Sequence, residues 1–185
     1  MLKLYHAASA VCAAKVRVVL AEKAIPYEGQ TINLHMGEQF QQKSMKLNPN
    51  AVVPTLVHDE NVLIESTVIS EYLDEAFPAH PLRPEGAIGH ARVRMWTKKE
   101  DSIHDAINTM TATIIFRHDL LQKSPEERAA RYAKMPDPAR REKWRRMIDE
   151  GLDSSIVQEA LVRLARHFRD MEKALAEGPW LTGAQ

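Results

Sequence analysis

The apolar residues of this chain change their period part-way along it. Leu2 and Leu4 bracket Lys3 and lead to Tyr5, the alternation of a short strand. Cys12, Val16, Val19 and Leu20 then fall at offsets 0, 4, 7 and 8, one face of a helix over residues 12–23. Pro26 breaks that helix. Residues 27–34 read as a weaker strand through Tyr27, Ile32 and Leu34, residues 37–47 as a short helix, and Asn48-Pro49 as a turn. Two apolar runs, 55–57 and 62–64, flank the polar tetrad His58 to Asn61 and predict a β-hairpin. A helix over residues 65–76 follows, with Val68, Ile69, Tyr72 and Leu73 along one side.

Beyond it, residues 77–84 hold three prolines and read as a linker. No strand pattern returns. Residues 88–122 predict a long helix with Val93, Trp96, Ile103, Ile107, Met110 and Ile114 near one face. Ser124-Pro-Glu-Glu127 is a capping box with proline at the first helical position. Pro136 and Pro138 separate that short helix from another at 139–150. Ser154 or Ser155 opens a further helix through Ile156, Ala160, Leu161, Leu164, Phe168, Met171 and Leu175, ended by Gly178-Pro179. The order β-α-β-α-β-β-α followed by helices predicts an α/β thioredoxin-like N-terminal domain and an all-α C-terminal domain. The boundaries expected are 1–78 for the first, 79–87 for the linker and 88–185 for the second.

Composition narrows the class of function. With 185 residues there is room for a sizeable core. Lys plus Arg and Asp plus Glu balance at 25 each, so charge gives no reason to expect nucleic acid. The basic run Arg140, Arg141, Lys143, Arg145 and Arg146 reads as a solvated helix face, because Trp144, Met147 and Ile148 supply its apolar side. The single cysteine, Cys12, excludes an internal disulfide framework and points to a reducing compartment. No signal peptide or long apolar span stands out, so the expected setting is cytoplasmic with no membrane partner. The eight histidines are scattered, and no metal is expected.

Candidate chemistry sits at two places. In the hairpin, Pro54 cannot donate to a ladder and belongs at a strand's first residue or in a special turn. With a cis Val53–Pro54 bond, the Val53 backbone would face outward and could pair with an extended ligand. Glu65-Ser66 opens a helix whose amides and positive dipole end favour an anionic group. The same segment is also a plain hairpin followed by a helix cap. In the loop from residue 7 to 12, thiol-disulfide enzymes of this plan carry a C-x-x-C pair; here Ser9 and Cys12 stand at that spacing. Serine forms no disulfide, but its hydroxyl can donate to another molecule's thiolate. That bond and the helix start could lower a bound thiol's pKa by one or two units, about 1.4 to 2.7 kcal/mol. Cys12 has two readings, a packed core residue or a nucleophile at the helix start.

Ser9-Ala-Val-Cys12 resembles the Ser-x-Pro-Cys loop of delta- and theta-type glutathione transferases, with Val11 where that loop has proline. Asn48-Pro49, Val52-Val53-Pro54 and Glu65-Ser66 are similar to the same family's glutathione-binding segments. The resemblance implies a glutathione cosubstrate, with Ser9 or Cys12 meeting its thiol and Val53, beside Pro54, pairing with its cysteinyl part. It implies Glu65 on the γ-glutamyl ammonium, Ser66 on the carboxylate and Gln39 near the glycyl end. Glu65 to Leu73, Leu82-Arg-Pro84, residues 91–98 and Lys143-Trp-Arg-Arg146 resemble the bacterial branch that includes the glutathione-dependent β-aryl etherases. In that branch the helix-start serine falls near Ala13, with asparagine at the Cys12 position. An apolar electrophile is the substrate so implied, and helix periodicity offers His104, Ile107, Asn108, Thr111 and Ile115 as its pocket. The family usually forms a homodimer. Gly178 to Gln185 resembles the lead-in to a further helix of the family, so the second domain is expected to be incomplete. Alternatives of other classes are a peroxidase or thiol-transferase using Cys12, and a non-catalytic glutathione-binding module.

Overall fold

A computed structural model of the chain describes residues 1–183. The end of the Gly178–Gln185 motif, Ala184 and Gln185, lies outside the described residues. Two compact units divide the chain: Met1–Leu82 with Lys134–Asp137, and Arg83–Ala133 with Pro138–Gln185.

The first unit is built on a four-stranded sheet in the order β2-β1-β3-β4. Its strands are β1 (Leu2–His6), β2 (Glu28–Thr31), β3 (Thr55–His58) and β4 (Asn61–Leu63). β1 pairs parallel with β2 and antiparallel with β3, which pairs antiparallel with β4. Two antiparallel steps make β4 run parallel to β1. Helices α1 (Val11–Glu22) and α3 (Ser66–Ala76), which leave those two strands, therefore start at the same end of the sheet. Leu4, Leu56, Val16, Leu20, Ile69 and Leu73 are almost wholly buried in one cluster between sheet and helices. Each such side chain contributes roughly 1.5–3 kcal/mol of burial.

The structure shortens or splits some predicted elements. β2 covers only Glu28–Thr31, all exposed, as suits an edge strand. The apolar Ile32 lies beyond it, its N–H donating to the His6 carbonyl at 2.8 Å. The helix expected over 37–47 is a 3-10 turn, Glu38–Phe40, and then α2 (Gln42–Leu47). Gly37 enters that turn with φ 76°, and Gln41 is extended between the two pieces. On α1 the buried face is Ala13, Val16 and Leu20, with Cys12 and Val19 only half-buried. Small alanines drop out of a search for large apolar residues. On α3, Val68 is exposed and Asp74 takes a buried place beside Leu73.

The second unit is helical: α4 (Gly86–Thr111), a π-helical segment (Ala112–Phe116), α5 (Arg117–Leu121), α6 (Pro125–Ala133), α7 (Pro138–Glu150), a 3-10 turn (Gly151–Asp153) and α8 (Ser155–Ala176). The π segment interrupts what periodicity presents as one helix over 88–122, a feature that spacing alone does not register. Ile103 and Ala106 of α4 pack against Ala160 of α8, with Ile107 and Leu164 beside them. The capping box forms reciprocally: Ser124 N–H donates to Glu127 Oε2 at 2.8 Å and Glu127 N–H to Ser124 Oγ at 3.2 Å. The basic run of α7 is answered by carboxylates, Arg145 by Glu142 and Asp149, Arg146 by Glu150, and Lys143 by Asp105. It is a helix face laced with ion pairs.

A buried ion pair closes the far end of α1 on α3. Lys23 Nζ, with its side chain wholly buried, donates to Asp74 Oδ1 at 2.7 Å and to the carbonyls of Ala79 and His80 at 3.1 and 2.9 Å. Asp74 Oδ1 also accepts the Leu82 N–H at 2.9 Å. All three ammonium donors are used, and the turn after α3 is pinned by them. Lys23→Met should therefore cost about 3–5 kcal/mol in urea unfolding by stranding the Asp74 carboxylate. The double variant Lys23→Met/Asp74→Leu should recover much of that loss, and equal losses in both would show the charge is not what matters.

Candidate active site

Sheet topology decides which loops meet. β1, β2 and β4 all end where β3 begins, because Tyr5 pairs with Thr55, His6 with Thr31 and Leu56 with Leu63. The loop carrying Ser9 leaves β1, the turn carrying Gln39 follows β2, Val53 and Pro54 lead into β3, and Glu65 and Ser66 follow β4. Every residue proposed for glutathione from the sequence thus lies at one end of one sheet.

Side-chain contacts tie these loops together. Val53 is buried with Ala7, Ala13 and Ile32, and Tyr5, Ala10 and Leu34 pack against that group. Val53 precedes the β1–β3 ladder, which begins at Thr55, and its bond to Pro54 is cis. Gln39, Tyr5, Ser44, Val53 and Thr55 share the lining of a cavity of about 10 Å³. That is room for about one water. Gln39 is 7% exposed, and its Oε1 has no hydrogen-bond partner. Lys15 Nζ on α1 donates to Thr67 Oγ1 on α3 at 2.7 Å, joining the two helix starts across 52 residues of sequence.

Ser9 is half-buried in a turn closed by the Ala10 N–H on the Ala7 carbonyl at 3.2 Å. Cys12, half-buried and in no disulfide, is the second residue of α1. Neither Ala10 nor Glu65, the cap residues of α1 and α3, supplies a side-chain acceptor to its helix. Glu65 is exposed with φ 69° and ψ 110°, a conformation costing of order 1–3 kcal/mol for a residue with a Cβ. Ser66 is buried, its carbonyl accepting the Ser70 hydroxyl at 2.8 Å. Among the described residues, no three His, Cys, Asp or Glu side chains gather as metal ligands. No helix of the described residues is long and apolar enough to cross a membrane.

In the second unit an open apolar groove of about 480 Å³ runs between α4, the π segment and α8. Ile107, Thr111 and Ile115 line it together with Met110, Phe168 and Met171. His104 and Asn108 do not. His104 is half-buried on the same helix, its Nδ1 3.9 Å from Oε1 of Glu100, which does line the groove, and Asn108 is exposed.

Residues 1–75 match the glutathione S-transferase N-terminal domain family. Protein LigF of a Sphingobium species is 30% identical over 97% of this chain and 71% of its own length. The chain belongs to the glutathione S-transferase family. The crystal structure of beta-etherase LigF superposes with a TM-score of 0.90 at 28% identity, over all of this chain and 77% of that one. A zeta-class glutathione S-transferase from Euphorbia esula is 42% identical over 83 residues, 45% of this chain and only 37% of its own length. At this end of the sheet, the Lys15–Thr67 pair is a contact that sequence reasoning missed, since no local spacing links the two residues.

Proposed function

We propose that the chain is a glutathione transferase that binds glutathione at the end of the sheet where α1 and α3 start and activates its thiol for attack on an apolar electrophile. The observation that carries the proposal is the convergence of Ser9, Cys12, Gln39, Val53, Pro54, Glu65 and Ser66 at that one end. Two helix starts without side-chain caps suit a tripeptide with carboxylates and an ionisable thiol. The unpartnered Gln39 oxygen suits one of its donors.

Bound glutathione supplies the nucleophilic sulfur. The Ser9 hydroxyl donates to that sulfur, and the α1 start adds its dipole, so that the thiolate prevails near neutral pH. The backbone of Val53, fixed beside Pro54, pairs with the cysteinyl unit. Glu65 holds the γ-glutamyl ammonium, Ser66 its carboxylate and Gln39 the glycyl end. His104, Ile107, Asn108 and Thr111 are assigned to the electrophile, with the groove that Ile107 and Thr111 line as the support. The proposal takes the protein as a cytoplasmic homodimer with a linker over 79–87 between domains 1–78 and 88–185.

A second reading rests on Cys12 at the helix start. There its thiolate would exchange with a glutathione disulfide, forming a mixed disulfide and releasing one glutathione thiolate. Conjugation assays over a panel of electrophiles, an aryl ether among them because LigF is a beta-etherase, separate the readings. Ser9→Ala should lower the conjugation rate about 10- to 100-fold, the loss of one or two units of thiol activation, with Cys12→Ser near wild type. The reverse pattern supports Cys12. No retention on immobilised glutathione together with no activity would make the chain a non-catalytic module. Replacing Ile107 and Thr111 by Trp should depress turnover of bulky electrophiles, and unchanged turnover contradicts the groove assignment.

A further inference from the structure

The loop that carries Ser9 is made of Ala7, Ala8, Ser9 and Ala10, so it has almost no side chains with which to hold its own shape. Its cap residue, Ala10, makes no side-chain bond to α1. Beyond the Ala10 N–H bond to the Ala7 carbonyl and the packing of Ala7, a further hold comes from a residue along the helix. Arg17 Nη1 donates to the Ala7 carbonyl at 3.0 Å, and Nη2 reaches the Ala8 carbonyl at 3.4 Å. The same Nη1 lies 3.4 Å from His6 Nδ1. Partial burial and then the Arg17 charge push the His6 pKa down, which favours the neutral imidazole, and the tautomer protonated at Nε2 presents Nδ1 to Arg17 as an acceptor. From the other side, a Cβ at Gly29 would stand 3.0 Å from His6 Nε2, so the strand β2 backbone walls the ring in.

We propose that Arg17 is a positioning residue for thiol activation: its guanidinium fork fixes the Ala7 and Ala8 carbonyls and so sets where Ser9 and the first turn of α1 stand. The inference rests on the Ser9 reading of the site, but its geometry does not. A guanidinium is planar and presents paired donors, so it can bridge successive carbonyls in one orientation. A lysine at the same place keeps the charge and loses the fork. Arg17 sits between Val16 and Val18-Val19, two residues after Lys15, and a charge set inside that apolar run is the sequence signal that marks it.

The test uses Arg17→Lys and Arg17→Gln in the full chain. Cys12 is the only cysteine, so its alkylation by iodoacetamide against pH, without glutathione, reads the first turn of α1 directly. Expected in Arg17→Lys is a displaced alkylation profile and a conjugation kcat down about tenfold, with the glutathione KM within about twofold. Arg17→Gln should show the same displacement or a larger one. Melting curves accompany each variant. A lowered melting temperature with an unchanged Cys12 profile and unchanged kcat would reduce Arg17 to a structural residue and overturn the proposal. Ser9→Ala measured alongside separates the two claims. If it leaves conjugation intact the Ser9 reading fails, while a displaced Cys12 profile in Arg17→Lys still supports the clamp, and an unmoved one removes it.

Discussion

The parallel pairing of α1 with α3 is the constraint on which the rest of the first unit depends. Lys15 meets Thr67 at one end of the pair, and Lys23 meets Asp74 at the other. Between them Val16, Leu20, Ile69 and Leu73 are buried almost completely. Eight residues along one helix match seven along the other, so both chains advance in the same direction. Two aligned helices repel through their dipoles, each start equivalent to roughly half a positive charge. The apolar seam and the buried ion pair outweigh that repulsion, and the uncompensated field is left at the end where the loops of the sheet converge.

That end gathers several local costs. Glu65 is held at φ 69°, Gln39 buries a polar side chain, and two helices begin without side-chain caps. Single departures occur elsewhere too, since α4 and α8 also start without side-chain caps and Ala24, Asp59 and His80 also have positive φ. What sets this end apart is that several of them fall where four separate segments of chain converge, which is where binding is expected. Membership of the glutathione S-transferase family gives the ligand chemistry that would relieve them, since a zwitterionic tripeptide with a thiol brings both acceptors and donors.

Much of this was legible in the sequence because its signals are local. Alternation at Leu2 to Tyr5, the hairpin around His58 to Asn61 and the Ser124 capping box depend on neighbours a few residues apart. The seven residues brought to one sheet end were named from the loop and hairpin motifs and from the family resemblance those motifs carry, and topology explains why four separate segments belong together. What stayed hidden involves long range or small side chains. Ala13 carries no periodic signal although it is fully buried, and the Lys15–Thr67 and Lys23–Asp74 bonds span more than fifty residues. Periodicity grouped His104 and Asn108 with Ile107 and Thr111 on α4, whereas the groove is lined by Ile107 and Thr111 with Met110 and, from α8, Phe168 and Met171, a packing partner that spacing along one helix does not register.

The proposed function requires this end of the sheet to stabilise a glutathione thiolate. Titrating the ultraviolet absorbance of the protein-bound thiolate against pH tests it most directly. The expected midpoint lies about one to two units below the usual thiol value near 8.5, returning toward it in Ser9→Ala. A bound thiol that titrates at the free value in the wild-type protein would contradict it.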